Sequence, residues 1–126
     1  MVTTPLEWLA RFNIAAAGED ERESDITQLS NGNWLVSWTS DVSTGAGSPA
    51  GSDILGQIYN PLGVAVGGHF RLNTIFSADN ESSSSIVALD GGGFAVTYND
   101  LEVVFAGSLT FDTDIIVEVF DNAGGH

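Results

Sequence analysis

Residues 29–38 read LSNGNWLVSW, and this stretch decides the fold because it comes back as LDGGGFAVTY at residues 89–98, sixty positions later. Each copy has an apolar residue, then a short turn of Asn, Asp and Gly, then large residues that alternate with smaller or polar ones. Alternation with a period of two places every second side chain on one face of a β-strand. The large residues therefore predict one core-facing row in each copy: Trp34, Val36 and Trp38 in the first, and Phe94, Val96 and Tyr98 in the second.

The glycines predict the turns of these two hairpins. Asn31-Gly32 and Asp90-Gly91 suit a two-residue hairpin turn, because both central residues of such a turn need positive φ. The strand before each turn is predicted to be short, over residues 26–29 and residues 86–89.

The repeat extends to both sides of the hairpin. Residues 53–59 (DILGQIY) are matched by residues 114–120 (DIIVEVF), here at an offset of sixty-one. Residues 70–74 (FRLNT) are matched sixty positions earlier by residues 10–14 (ARFNI), which keep Arg and Asn at the same places. These matches predict further strands over residues 53–59, 64–74 and 114–120, and another over residues 9–14.

The order of these strands predicts an all-β fold of two four-stranded antiparallel repeats that are like propeller blades. Repeat one covers residues 26–74, and repeat two covers residues 86–120 but lacks its last strand. The orphan strand over residues 9–14 comes before repeat one, so the arrangement is circularly permuted and the N-terminal strand completes a blade. We predict a single domain over residues 1–126.

The stretches between the predicted strands differ in polarity. Residues 18–25 (GEDERESD) and their counterparts 78–85 are polar and are predicted to be solvent-facing crossovers. Residues 101–111 (LEVVFAGSLTF) are apolar, and an extra hairpin around Ala106-Gly107-Ser108 would accommodate them. An apolar loop on an acidic protein either folds back on its own core or contacts another molecule.

The composition excludes several classes of partner. The formal net charge is −14, with three arginines and no lysine, which argues against nucleic acid and anionic membranes as partners because both require basic surface. No apolar run is long enough to insert into a membrane. The chain has no cysteine, which excludes disulfides, thiolate zinc sites and thiol nucleophiles. The first 23 residues lack the basic and apolar segments of a secretory signal peptide.

Together these residues resemble a known group of repeats. The motif has three parts. The first is an Asn/Asp-Gly turn before aromatic-x-Val-x-aromatic, at residues 29–38 and 89–98. The second is Asp-Ile and four residues before an aromatic-Asn/Asp-x-x-Gly turn, at residues 53–63 and 114–124, and the third is Gly-Gly-x-Phe-x-x-Asn at residues 67–73. It is similar to repeats of very large secreted bacterial proteins of the calcium-binding, haemolysin-like (RTX-associated) and adhesin-like kinds. The resemblance implies an extracellular or cell-surface location. Calcium binding does not follow, because the glycine-rich nonapeptide G-G-x-G-x-D is absent.

Candidate ligand-binding residues are few. Asp112 and Asp114 have the Asp-x-Asp spacing of a cation loop but lack its downstream Gly and Glu, so we expect calcium binding to be weak or absent and no cofactor to be required. Trp8 and Tyr59 are the candidates for stacking on a sugar ring, against packing between the repeats. No motif of nucleophile, base or metal is present, so we do not expect an enzyme.

The missing fourth strand of repeat two indicates self-assembly. Without it, residues 114–120 would form an unpaired apolar edge, which recruits another chain. We expect a non-enzymatic structural or adhesion module that joins copies of itself head to tail, as a ring or a filament; the alternative is a carbohydrate-binding lectin built as a small multi-bladed ring. The residues predicted at the assembly interface are Ala10, Phe12, Ile14, Val104, Phe105, Ile116 and Phe120.

Overall fold

The structure, a computed structural model, describes residues 11–14, 20–41, 51–74, 80–105 and 109–126. Within these ranges seven antiparallel strands form two sheets, which confirms the all-β prediction. Sheet one has the order β1-β2-β3-β4, with strands Glu21–Gln28, Trp34–Ser40, Asp53–Tyr59 and Ala65–Arg71. Sheet two has the order β5-β6-β7, with strands Asn80–Ala88, Phe94–Phe105 and Leu109–Phe120.

The pairing registers reproduce the sequence repeat. Trp34 at the start of β2 lies opposite Tyr59 at the end of β3, and Phe94 at the start of β6 lies opposite Phe120 at the end of β7. The matched residues are sixty and sixty-one positions apart, as in the sequence. The first three strands of sheet one and the three strands of sheet two are therefore equivalent, and β4 has no counterpart in sheet two among the described residues.

The hairpin turns are one residue longer than predicted. In the first, the Leu29 N–H donates to the Asn33 carbonyl at 2.8 Å, the Gly32 N–H donates to the Leu29 carbonyl at 2.9 Å, and Gly32 has a φ of 87°. This is a three-residue loop that ends on a left-handed glycine, so Asn31 needs no positive φ. The same two hydrogen bonds close the loops over residues 60–64, 89–93 and 121–125.

The prediction of polar crossovers at residues 18–25 and 78–85 is wrong for most of their length, because β1 begins at Glu21 and β5 at Asn80. Both strands contain a bulge at equivalent places, where Glu23 and Ser83 have φ of 55° and 57°. The bulge turns the Glu23 carboxylate toward sheet two, where it accepts the Ser83 N–H at 2.7 Å. That bond, together with the Thr39 hydroxyl, lowers the pKa of Glu23.

Each sheet has two faces, which we call aromatic and aliphatic after their residues. Alternation along β2 and β6 puts Trp34 or Phe94 on the aromatic face and Leu35 or Ala95 on the aliphatic face. The main core forms where the aliphatic face of sheet one packs on the aromatic face of sheet two. Its members from these two faces are Leu35, Ile54, Ile58, Ile86, Phe94, Val96, Tyr98 and Phe120.

The aromatic face of sheet one forms a smaller cluster of Val36, Trp38, Leu55 and Tyr59. Trp34 belongs to this face and is 40% exposed, so it is not the core residue that the sequence predicts, whereas its counterpart Phe94 is fully buried and stacks on Phe120 at 5.1 Å. The difference arises because, among the described residues, the aromatic face of sheet two is covered by the other sheet and that of sheet one is not.

Two predicted segments take a different form. β6 and β7 continue through most of the apolar stretch 101–111 as an extended hairpin, and residues 106–108 lie outside the described residues. The predicted strand over residues 9–14 is not formed where the chain is described, since residues 11–14 are irregular and residues 9 and 10 lie outside. A strand requires a hydrogen-bonding edge, and the edge predicted for this segment belongs to another copy.

Candidate functional site

The outer edge of β7 is the candidate site. β7 ends sheet two, and within the described residues it pairs only with β6 over its twelve residues. The equivalent strand of sheet one, β3, is covered on that side by β4. A long strand with no described strand on its outer side is a template for addition of a further strand.

Sheet one shows how such an edge is covered. At the end of β4, the Arg71 guanidinium donates to Asp53 Oδ2 at 2.9 Å and the Asn73 amide donates to Asp53 Oδ1 at 3.1 Å. The Asn73 side-chain oxygen in turn accepts the Ile54 N–H at 3.0 Å, and the Leu72 N–H donates to the Ile54 carbonyl at 2.8 Å. We call this arrangement the Asp53 clamp; it fixes the end and the register of the fourth strand.

Half of the same clamp is present on sheet two. Asp114 and Ile115 stand at the places of Asp53 and Ile54 in the repeat. Asp53 and Ile54 are buried at 5% and 0% exposure, whereas Asp114 is exposed and Ile115 is 75% exposed. The counterparts of the groups that β3 contributes to the clamp, a carboxylate at Asp114 and the backbone of Ile115, are thus exposed on the outer edge of β7.

The other half of the clamp lies near the N-terminus. Arg11 and Asn13 stand sixty positions before Arg71 and Asn73, and residues 11–14 are all exposed. Phe12 lies against Tyr59, with ring centroids 5.4 Å apart, in a groove of about 240 Å³ on the aromatic face of sheet one. Ile14, Ile26, Trp34 and Val36 also line that groove.

A buried carboxylate at the junction of the two sheets has a structural role. Glu118 accepts the Tyr98 hydroxyl at 2.5 Å, the Thr74 N–H at 2.9 Å and also the Thr74 hydroxyl. Burial and this contact raise the pKa of Tyr98. These bonds attach the segment after β4 to β7.

A second buried carboxyl group has a raised pKa. Glu81 on β5 is fully buried, and burial raises its pKa to about 8, with further contributions from the charges of Asp53 and Asp100. Within the described ranges no group of three or more acidic or histidine side chains has the geometry to hold a metal ion. Asp112 and Asp114 lie on β7, and weak or absent calcium binding at this pair stays a prediction.

The remaining predicted residues are distributed over the fold. Trp8 and Ala10 lie outside the described residues. Tyr59 is only 8% exposed and packs with Val36, Trp38 and Leu55, which leaves little ring surface for a sugar. Burial also raises the pKa of its hydroxyl.

The predicted interface residues also separate. Phe120 is buried in the chain's own core and Ile116 packs against that core, so neither side chain faces outward. Val104 and Phe105 pair with Thr110 and Leu109 at the far end of the β6–β7 hairpin. Sequence reasoning did not select Arg11, Asn13 and Ile115; the repeat offset contains the signal for all three, once the Asp53 clamp is known.

No protein-family model, no curated protein and no solved structure matches this chain. The described residues contain no helix that is long and apolar enough to cross a membrane.

Proposed function

We propose that this protein is a non-enzymatic structural or adhesion module, extracellular or cell-surface, that joins copies of itself head to tail by strand complementation. The observation that carries the proposal is the difference between the two sheets: the β3 edge is covered and clamped at Asp53, and the equivalent β7 edge is open at Asp114. Residues 9–14 of one copy form the fourth strand of sheet two in another copy.

The residue pattern gives this strand a defined register. By the repeat, Arg11 and Asn13 of the donor bind Asp114 of the acceptor as Arg71 and Asn73 bind Asp53. The main chain of the added strand supplies hydrogen bonds for affinity, and the clamp supplies specificity because a shift of one residue would separate Arg11 from the carboxylate.

The contact is heterologous, since the donor surface and the acceptor surface are different parts of the chain. Such contacts close into a ring when the rotation between copies permits and otherwise run on as a filament. Blade-like repeats close in numbers of about four to eight, so two to four copies of this two-sheet chain would close a ring, for example three copies with six blades or four copies with eight.

Three variants test the proposal by sedimentation velocity. Deletion of residues 1–14 should abolish assembly, and a peptide of residues 6–15 should bind the truncated chain and raise its melting temperature. Asp114→Ala should weaken assembly about tenfold or more, because it removes a charge-assisted pair. Asp112→Ala is the matched control, since Asp112 is also exposed on β7 but has no counterpart in the Asp53 clamp.

A truncated chain that sediments like the full chain would overturn the proposal. So would equal effects of Asp114→Ala and Asp112→Ala, because the clamp would then have no part in assembly. A large, chelator-reversible rise in melting temperature with calcium that Asp114→Ala abolishes would instead assign this edge to a cation.

A further inference from the structure

The aliphatic face of sheet two is exposed in the chain. Val87, Ile115, Val117 and Val119 are 58%, 75%, 59% and 55% exposed. Their counterparts in sheet one include Ile54 and Ile58, which are 0% and 3% exposed because they pack on the aromatic face of sheet two. The same repeat position is therefore core in one sheet and surface in the other.

This face is also uncharged in a strongly acidic protein. The register places Ser85, Val87, Ala95, Thr97, Asn99, Ile115, Val117 and Val119 on it, and none of these side chains is ionisable. The chain has 17 acidic residues, so an apolar and uncharged face of this length marks a surface that another protein covers.

The aromatic face of sheet one is the matching surface. Ile26 and Trp34 on this face are 55% and 40% exposed, and the groove beside them holds Phe12 of the same chain. Its counterpart in sheet two consists of Ile86, Phe94, Val96, Tyr98 and Phe120, and is buried against an aliphatic face.

We infer that the aliphatic face of sheet two binds the aromatic face of sheet one in a second copy of this chain. The pairing repeats between copies the contact that already joins the two sheets within one chain. The occupant is a second copy because these two faces are the repeat equivalents of the two faces that pack within one chain. Val36, Trp38, Leu55 and Tyr59 on the aromatic face of sheet one are already buried, so the second copy packs on the exposed part of this face, at Ile26, Trp34 and the groove that holds Phe12.

The inference deepens the proposed function and rests on it. When residues 11–14 leave the groove so that the N-terminal strand can pair with β7 of the neighbour, Phe12 uncovers Tyr59, and the valines of that neighbour take its place beside Trp34. Strand donation and face packing then join the same two copies with the same polarity. Within one chain, β4 of sheet one is followed by β5 of sheet two. By the repeat, the donated strand is followed in the same way by β1 of the donor.

Charge substitutions separate face packing from strand donation. Val117→Asp should leave the folded monomer unchanged, because the side chain is mostly exposed, and should weaken assembly about a hundredfold or more by burying an unpaired charge. Val64→Asp is the matched control, because Val64 is equally exposed at 59% but lies in the turn before β4.

A mixing experiment tests the polarity of the contact. Ile26→Asp blocks the aromatic face and Val117→Asp blocks the aliphatic face, so each variant alone should be monomeric. Mixed together, they retain one intact pair of faces and should form a dimer that does not grow further. Circular dichroism and thermal melts of each variant verify that both remain folded.

The outcomes distinguish face packing from strand donation. Assembly of Val117→Asp that matches Val64→Asp, while deletion of residues 1–14 abolishes it, overturns face packing and leaves strand donation. A wild-type chain that is monomeric at its solubility limit overturns both. If Val117→Asp does not fold, Val117→Cys and Ile26→Cys supply the test by cross-linking in this cysteine-free chain, and failure of that pair to link above a Val64→Cys control overturns the contact.

Discussion

At the scale of single residues, Glu81 links the fold to pH. Its raised pKa of about 8 means that the native state keeps a proton that the unfolded chain releases above about pH 4.5. The stabilising contribution of this group is therefore complete below that pH and is lost as the pH rises through about 8. We expect the free energy of unfolding in urea to fall between about pH 5 and pH 8.

The variant Glu81→Gln tests this assignment. It keeps the shape without the ionisable group, so it should be more stable than the wild type at pH 8, by on the order of 4 kcal/mol for a pKa raised from 4.5 to about 8, and should lose most of the fall with pH. Glu102→Gln, at an exposed position on β6, is the control and should leave the difference between the two pH values unchanged. An unchanged slope in Glu81→Gln would assign the pH dependence to other groups.

The sequence alone does not identify Glu81, because it lies in a run of polar residues that reads as solvent-exposed. The bulge at Ser83 changes the alternation of β5 and turns Glu81 inward, and this depends on pairing with β6 rather than on local composition. The match of Arg11 and Asn13 with Arg71 and Asn73 is visible in the sequence, but its meaning depends on the contacts of Asp53.

At the scale of elements, the turn before β6 depends on Gly93. Gly93 has a φ of 83°, and a Cβ there would lie 2.2 Å from the carbonyl oxygen of Phe120 on β7. Gly93→Ala should therefore destabilise the fold by about 3 kcal/mol or more, since the clashing atom is backbone and cannot rotate away. Gly91→Ala, where a Cβ would meet nothing within 4 Å, should change stability by less than about 1 kcal/mol.

Thermal melts of the two glycine variants measure this difference. Equal melting temperatures would show that the β6–β7 edge relaxes without cost. The existence and order of the strands follow from the period-two pattern, but the length of each turn does not. A glycine at the third loop position permits a three-residue turn, and the hydrogen bonds from Leu29 to Asn33 and from Leu89 to Gly93 select it.

At the scale of the whole molecule, net charge opposes assembly. Each copy has a formal charge of −14, so joining copies brings like charges together. Salt screens this repulsion, with a Debye length of about 10 Å at 0.1 M and about 3 Å at 1 M. When sodium chloride is raised from 0.1 M to 1 M, sedimentation equilibrium should show a lower dissociation constant for assembly. A higher dissociation constant would mean that the Arg11–Asp114 pair outweighs the general repulsion.

The turn over residues 121–125 has a consequence for covalent linkage. It has the same two hydrogen bonds as the turn over residues 60–64, which leads directly into β4. By the repeat, residue 126 corresponds to residue 65 and residue 6 to residue 66. A tandem polypeptide in which residue 6 of one unit follows residue 126 of another would thus run through this turn into the fourth strand of sheet two without a break. One set of contacts would then serve both a ring of separate subunits and a single concatenated chain, and the two would differ only in the effective concentration of the joined parts.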